Sequence, residues 1–539
     1  MRNRTCQFLA FLYIFGLAAN AQTEFVTKEA KAASSGFSRT TFSVQVPVAS
    51  KPNRPAPRLD KLPPAAFVVN DAFDGPDADL ADARCGDVNE RCSLRAAIEQ
   101  INVIGSGIIT FELRDQTRID IVGEPLVLSA GPGDIRLIGP GADKLTIGRD
   151  RRSKEGGTVF TVASRSGVAD ISGVTVSDGS PGPTSPGSCF LVSEFGTLSL
   201  DDVVVENCSA DVGGGIANWG SLRITNSTIR NNSGRLGGAV FTAGSMTMRS
   251  SAVYDNVGEQ GGGINNNDDF QTATIINSTL TGNRVYGGLN AAAYGGAIFN
   301  FGPMDLTNVS IAENSALGAG AGFADFASIW APEQSQIKNT LIAQNTSPSL
   351  PDLYSYGLIS HGHNLVASGV LLNPAPTDIQ GTFDQPIDAL LGPLANNGGT
   401  TLTMALLPGS PAIDRGGASS VSTVDQRGFP RPVDISSIPN TGDGSDIGAF
   451  EVQLVTARIT ARAFGPWNDP IRIGTAVLID EATGEERLAA ANLLGYFRFL
   501  NVPTGRIYRI VIRHKRYTFA PVILSVNGDI SDLVITGTL

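Results

Sequence analysis

Between residues 169 and 345, apolar and polar positions alternate in short runs that Gly, Asn or Asp repeatedly interrupts. Alternation with period two marks strands with one buried face, and the interrupting residues are turn formers. The runs repeat. Gly213-Gly214-Gly215-Ile216 recurs at Gly237-Gly238-Ala239-Val240 and Gly261-Gly262-Gly263-Ile264, a 24-residue spacing. It recurs again at Gly295-Gly296-Ala297-Ile298, after a loop inserted at 284–294. The second half of each unit aligns as well, at 198–208, 222–232, 246–256, 274–283, 304–314 and 336–345, with an earlier copy at 169–174. A unit this short cannot bury its inner face alone, so it must stack on its neighbours. The pattern predicts an all-β chain whose main body is a right-handed parallel β-helix over about 105–400. Leu222, Met246 and Met304 then form one interior column, and Ile224, Met248 and Leu306 another.

Polar positions also fall in columns. Asn232, Asn256, Asn283, Asn314 and Asn345 share one position of the unit; Asn226, Asn277, Asn308 and Asn339 share a second; Asn218, Asn266 and Asn300 share a third. Asn tolerates the left-handed backbone of tight turns, and stacked amides bond from rung to rung, so the columns read as a structural ladder and not as a sugar-reading row. An open coil end exposes a sheet edge and needs a cover. Residues 93–103 supply one: Leu94, Ala97, Ile98 and Ile101 make a helical apolar stripe with Ser93 as N-cap. The expected domains are a signal peptide at 1–21, a linker at 22–66, the β-helix at 67–453 and a small β-sandwich at 454–539. The signal reading rests on Arg2 and Arg4, the apolar run 8–18 and the small-residue site Ala19-Asn20-Ala21. The linker is rich in Ala, Ser and Thr and then in Pro, without periodicity, and the sandwich shows strand-like runs divided by turn residues.

Composition narrows the function. Only 17% of residues are charged, the net charge is −11, and no Lys/Arg cluster suits a phosphate backbone, which excludes nucleic acid as a partner. No later stretch is apolar for the ~20 residues of a membrane helix. Export makes disulfides of Cys85, Cys92, Cys189 and Cys208, with the pairings near in sequence, Cys85–Cys92 and Cys189–Cys208, favoured among three connectivities. Alignment sets Cys189 at the Gly213 position and Cys208 at the Asn232 position.

Three stretches resemble the secreted bacterial choice-of-anchor Q domain proteins. They are Cys92-Ser93-Leu94-Arg95-Ala96-Ala97-Ile98 (with Ala96 where the family has Glu), the Gly-Gly-Gly-Ile rungs, and a long closing motif. The closing motif comprises 390–416, Asp425-Gln426-Arg427-Gly428 and Asp446-Ile447-Gly448-Ala449-Phe450-Glu451. Similarity to chlamydial polymorphic outer-membrane proteins is looser. Relatives usually carry an anchor after this motif; here 495–505 and 515–519 resemble a carboxypeptidase regulatory-like β-sandwich. The resemblance implies a cell-surface or extracellular role without a common reaction. Within the closing motif, Arg427 is expected to pair with one of the carboxylates Asp414, Asp425, Asp446 or Glu451 and lock a C-terminal cap.

Many parallel β-helices cleave acidic polysaccharides. A lyase needs carboxylates for Ca²⁺ and a basic Arg or Lys, and an inverting glycosidase needs carboxylates around the scissile bond. Asp268 and Asp269 are the candidates for such a catalytic site, with Arg230, Arg235 and Arg284 as possible neighbours. Adjacent Asp residues in a turn are more often turn formers. His361-Gly362-His363 reads as a turn, so no metal ligand is assigned. Arg506, Arg509, Arg513, His514, Lys515 and Arg516 form a basic run, suited to an anionic polymer or simply to solvent. The expectation is a secreted or cell-surface protein, non-enzymatic and monomeric, acting in adhesion or extracellular polysaccharide binding without a cofactor. The alternative is a polysaccharide lyase or glycoside hydrolase for acidic glycans, with Ca²⁺ in the lyase case.

Overall fold

The computed structural model describes residues 65–539, apart from 87–88, 130, 132, 153–155, 164–166, 181–185, 269, 288–292, 328–333, 436–437, 455, 505 and 527. The expected signal segment, nearly all of the linker and Asp269 lie outside the described residues.

The repeat folds as a parallel β-helix. Met246 pairs in register with Leu222 and Ala273, and Ala273 with Met304; Met248 joins Ile224, Ile275 and Leu306 in the same way. Both columns are buried in the coil. One sheet carries two strands of most rungs, a second holds nine parallel strands, and a third holds four. Ile216, Val240, Ile264 and Ile298 stack in the nine-stranded sheet, and the column extends to Phe190, Phe323 and Leu353. The glycine three residues earlier turns the chain with positive φ; a Cβ on Gly213 would lie 2.2 Å from the Ile216 carbonyl oxygen. The first strand is Ala65–Val69, paired with Gly107–Phe111, so Ala65 and Ala66 belong to the coil and not to the linker.

The helix Leu94–Ile104 closes the N-terminal end. Ser93 Oγ accepts from the Ala96 N–H at 3.0 Å, and Gly105 ends the helix at φ 95° with its N–H on the Ile101 carbonyl. Leu94, Ala97, Ile98 and Ile101 are buried in the coil's core, and the Cys85–Cys92 disulfide staples the preceding loop, with Cα atoms 5.1 Å apart.

The Asn232 column is a continuous hydrogen-bond chain. Each Nδ2 donates to the next Oδ1: Asn232 to Asn256 (3.0 Å), to Asn283 (2.9 Å), to Asn314 (3.0 Å), to Asn345 (2.9 Å). Asn345 donates to Asp352 Oδ1 at 2.8 Å, and the Cys208 N–H begins the chain on Asn232 Oδ1. Each Oδ1 also accepts a backbone N–H from the rung before. These asparagines do not adopt the left-handed conformation. The residue before each one does: Asn231, Asp255, Gly282, Glu313 and Gln344, at φ 55–65°. The turn faces solvent, and the asparagine after it points inward to bond the backbone. In the second column Asn226, Asn277, Asn308 and Asn339 do hold positive φ, as expected.

The coil's parallel strand pairing ends at Ile379–Gln380, short of residue 400. The closing segment does not cap the coil's end. After an antiparallel pair, Leu391–Ala395 with Thr403–Leu406, it runs along the coil's side. Asn277 Nδ2 donates to Ser422 and Val424, Thr279 to Gln426, Asn339 to Gly417, and the Ala449 N–H to Ser310. Leu341, Ala343, Leu365 and Ala367 point out of the coil and bury against Ala389, Ile413, Ile447 and Phe450 in a lateral core. Asp446 bonds the Asp414 and Val452 N–H groups there, and Arg427 pairs with Asp425 at 2.6 Å, lying 3.7 Å over the Phe450 ring. Arg427 and Asp446 thus hold together a lateral strap, which corrects their expected place in a terminal cap.

The C-terminal strands form a sandwich of a three-stranded and a four-stranded sheet around a separate core that includes Ile459, Leu478, Phe497, Tyr508 and Ile510. Among the described residues no helix is long and apolar enough to cross a membrane.

Candidate functional site

The third polar column lies inside the nine-stranded sheet, where Asn218, Asn266, Asn300 and Asp325 are fully buried. Asn266 Nδ2 donates to Asn300 Oδ1 (2.7 Å), and Asn300 Nδ2 to Asp325 Oδ1 (2.7 Å). Ser335 and the Ala327 N–H also donate to that oxygen, and Ser355 Oγ donates to Oδ2 at 2.8 Å. Burial pushes the Asp325 carboxyl up, and these four donors oppose the shift. The network fixes three consecutive strands, with Asn300, Asp325 and Ser355 in one register.

In a strand, the neighbours of an inward residue point outward. Here those neighbours are aromatic: Phe299 and Phe301 flank Asn300, Phe326 follows Asp325, and Tyr354 and Tyr356 flank Ser355. Tyr294, three residues before Ala297, joins them from the incoming turn. The rings form one sheet of contacts. Tyr294 stacks on Tyr354 (centroids 5.8 Å, 9°), Phe299 meets Phe301 edge-on (4.8 Å), and Phe326 touches Phe299, Phe301, Tyr354 and Tyr356 at 5.4–5.9 Å. On the same outer face, Phe241 lies two rungs before Phe299 in the same column, and Trp219, from the rung before that, packs on it at 5.6 Å. Phe299 is buried, Tyr356 is 49% exposed and the other four rings are half-buried, so edges and faces remain open to solvent. The Tyr354 and Tyr356 hydroxyls hydrogen-bond each other; burial, and then that bond, push the Tyr354 phenol up to about 12. It is neutral at physiological pH. From the rung of Ala217 to that of Tyr354, five steps of ~4.8 Å give about 24 Å of outer surface. None of the outward residues in these columns is charged.

Such a surface suits a sugar chain. A pyranose ring presents an apolar C–H face that packs on an aromatic ring, while its hydroxyls stay in water or bond to tyrosine. Sequence alternation does not reveal this face, because an aromatic on a short strand reads equally as core. A signal existed at 297–301, where Phe299 and Phe301 both sit on the parity opposite the ladder residue Asn300.

The expected catalytic residues are placed apart. Asp268 Oδ1 accepts from the Phe270 and Gln271 N–H groups, a turn-former's bonds. Arg235 pairs with Asp211 (2.8 Å) and Arg230 with Glu206 (2.8 Å). Arg235 and Arg284 belong to the four-stranded sheet of the coil, whereas Asp268 follows a strand of the nine-stranded one. His361 bonds Gln336 and His363 bonds the Arg415 carbonyl, in a turn with φ 83° at Gly362 and 58° at His363. Among the described residues no group of three His, Cys, Asp or Glu is placed to hold a metal ion.

Cys189 and Cys208 form the second disulfide, with Cα atoms 5.9 Å apart. Phe190 pairs with Ile216, which sets Cys189 at the Gly215 position; Gly187 holds the Gly213 place, a two-residue correction to the alignment. The closing segment also contains an ion pair the sequence did not single out, Arg431 with Glu451 at 2.8 Å, both buried. Burial pushes nearby Asp414 up to about 7, and burial together with the Glu451 charge pushes Asp446 up to about 8. No family model matches the chain, and no curated protein matches it.

Proposed function

We propose that the chain is a secreted or cell-surface β-helix protein that holds a polysaccharide on its aromatic face and performs no reaction on it. The observation that carries this reading is the cluster of Tyr294, Phe301, Phe326, Tyr354 and Tyr356 around the buried Phe299, partly open to solvent and clamped from beneath by the Asn300–Asp325–Ser355 network. A rigid platform loses little conformational entropy on binding, which favours affinity for a flexible polymer. The lack of charge on the face points to a neutral glycan. A non-catalytic role is supported by Asp268, whose carboxylate is engaged in its own turn, and by the pairing of Arg230 and Arg235. Two disulfides suit an oxidising compartment, in keeping with export. Relationship to the choice-of-anchor Q proteins belongs to the same proposal; its supports are the capped helix at Leu94–Ile104 and the folded closing strap. A glycan array on the full chain, combined with reducing-end and unsaturated-product assays, tests it. Binding of neutral glycans without products supports the proposal; unsaturated or reducing-end products would replace it with an enzyme.

A further inference from the structure

We infer a second binding site, independent of the aromatic face: a cationic cleft at one end of the β-sandwich that takes the carboxylate or sulfate groups of an acidic polysaccharide. The cleft, about 550 Å³, is bounded by Arg472, Arg513, His514 and Lys515 over a floor that includes Gly474 and Thr475. Thr475 pairs with Arg513 across the sheet, so the loop bearing Arg472 and the turn bearing His514 and Lys515 leave the same sheet end.

The structure divides the basic run of the sequence in two. Arg506 pairs with Asp480 (2.8 Å), Arg509 with Glu481 (2.7 Å), and Arg516 lies over Trp467 and Tyr517. Among the described residues, Arg472, Arg513 and Lys515 have no carboxylate partner. Three like charges gathered without counter-charge, on a chain of net charge −11, set up a local positive field that an oxyanion relieves. His514 adds a directed donor. Its Nδ1 accepts from the Arg516 and Tyr517 N–H groups (3.2 and 3.1 Å) and its ring stacks on Tyr517, which leaves Nε2–H to donate. Guanidinium forks bind a carboxylate or sulfate in two-point fashion, and Lys515 contributes a movable charge.

Affinity electrophoresis of the full chain through gels containing dextran sulfate, polygalacturonate or uncharged dextran tests the site. Retardation by at least one acidic polymer is expected, and whether sulfate, carboxylate or both retain the protein identifies the group. Arg472→Ala/Arg513→Ala/Lys515→Ala should weaken retention about tenfold or more, and Lys515→Glu alone should weaken it measurably. Raising salt from about 0.01 to about 0.1 M, which shortens the Debye length from ~30 to ~10 Å, should weaken it further. A charge-matched control on the other sheet, Arg458→Ala/Arg462→Ala/Arg498→Ala, should keep the retention. Absence of retention by both acidic polymers, or equal loss in cleft and control variants, would overturn the inference. A Tyr354→Ala variant retained like the parent would show that this site stands or falls apart from the aromatic face.

Discussion

At the scale of single residues, the asparagine ladder shows how one side chain can serve four partners. Asn256 Oδ1 accepts from the backbone and amide of Asn232, while Nδ2 reaches the Ile229 and Tyr254 carbonyls and Asn283. Asn256→Ala strands the buried Asn232 N–H and is expected to cost about 3 kcal/mol, since each orphaned buried group costs ~1–3 kcal/mol; urea unfolding measures it. One residue earlier the logic reverses. Asp255 is exposed at φ 55°, a conformation glycine adopts freely, so Asp255→Gly should change stability by no more than about 0.5 kcal/mol. The columns of Asn232 and Asn226 were both legible as columns, because spacing alone reveals them. In the Asn232 turns, which member takes the left-handed backbone was not, because Asn231 and Asn232 are the same residue type and only the direction of the side chain separates them.

At the scale of elements, periodicity made the rungs and the helix Leu94–Ile104 legible and closeness in sequence both disulfide pairings, whereas the aromatic face and the lateral strap lay beyond either signal. Outward aromatics and inward ones obey the same alternation, and the strap at 417–426 bonds to rungs 78 to 172 residues away, distances no local pattern encodes. The Cys189–Cys208 bridge spans a rung with a sequence separation of 19, for which loop closure gives about 3 kcal/mol. Cys189→Ala/Cys208→Ala should lower stability by up to that amount in a thermal melt while leaving the Cys208 N–H bond to Asn232 in place. On the aromatic face, Tyr354→Ala removes a ring that touches Tyr294, Phe326 and Tyr356, and should weaken glycan binding about tenfold, or ~1.4 kcal/mol, with the melting temperature little changed.

At the scale of the whole molecule, buried carboxyls set the pH response. Burial pushes Asp352 at the ladder's end up to about 6, alongside Asp414 at about 7 and Asp446 at about 8, against 3.8 for each in an ordinary setting. Each binds its proton more tightly folded than unfolded. The stability they contribute is therefore full below pH about 4 and is lost as pH rises through about 6 to 8. The melting temperature should fall between pH 5 and pH 8, and a rise across that interval would show that these three groups do not govern it. Polysaccharide capture by the uncharged aromatic face is measured by isothermal titration of the intact chain with neutral oligosaccharides, repeated on Phe326→Ala/Tyr354→Ala. The parent is expected to bind, the double variant to bind about 100-fold or more weaker, and the oligosaccharide to be recovered unaltered. Equal binding by parent and variant, or cleaved oligosaccharide in the recovered ligand, would contradict it.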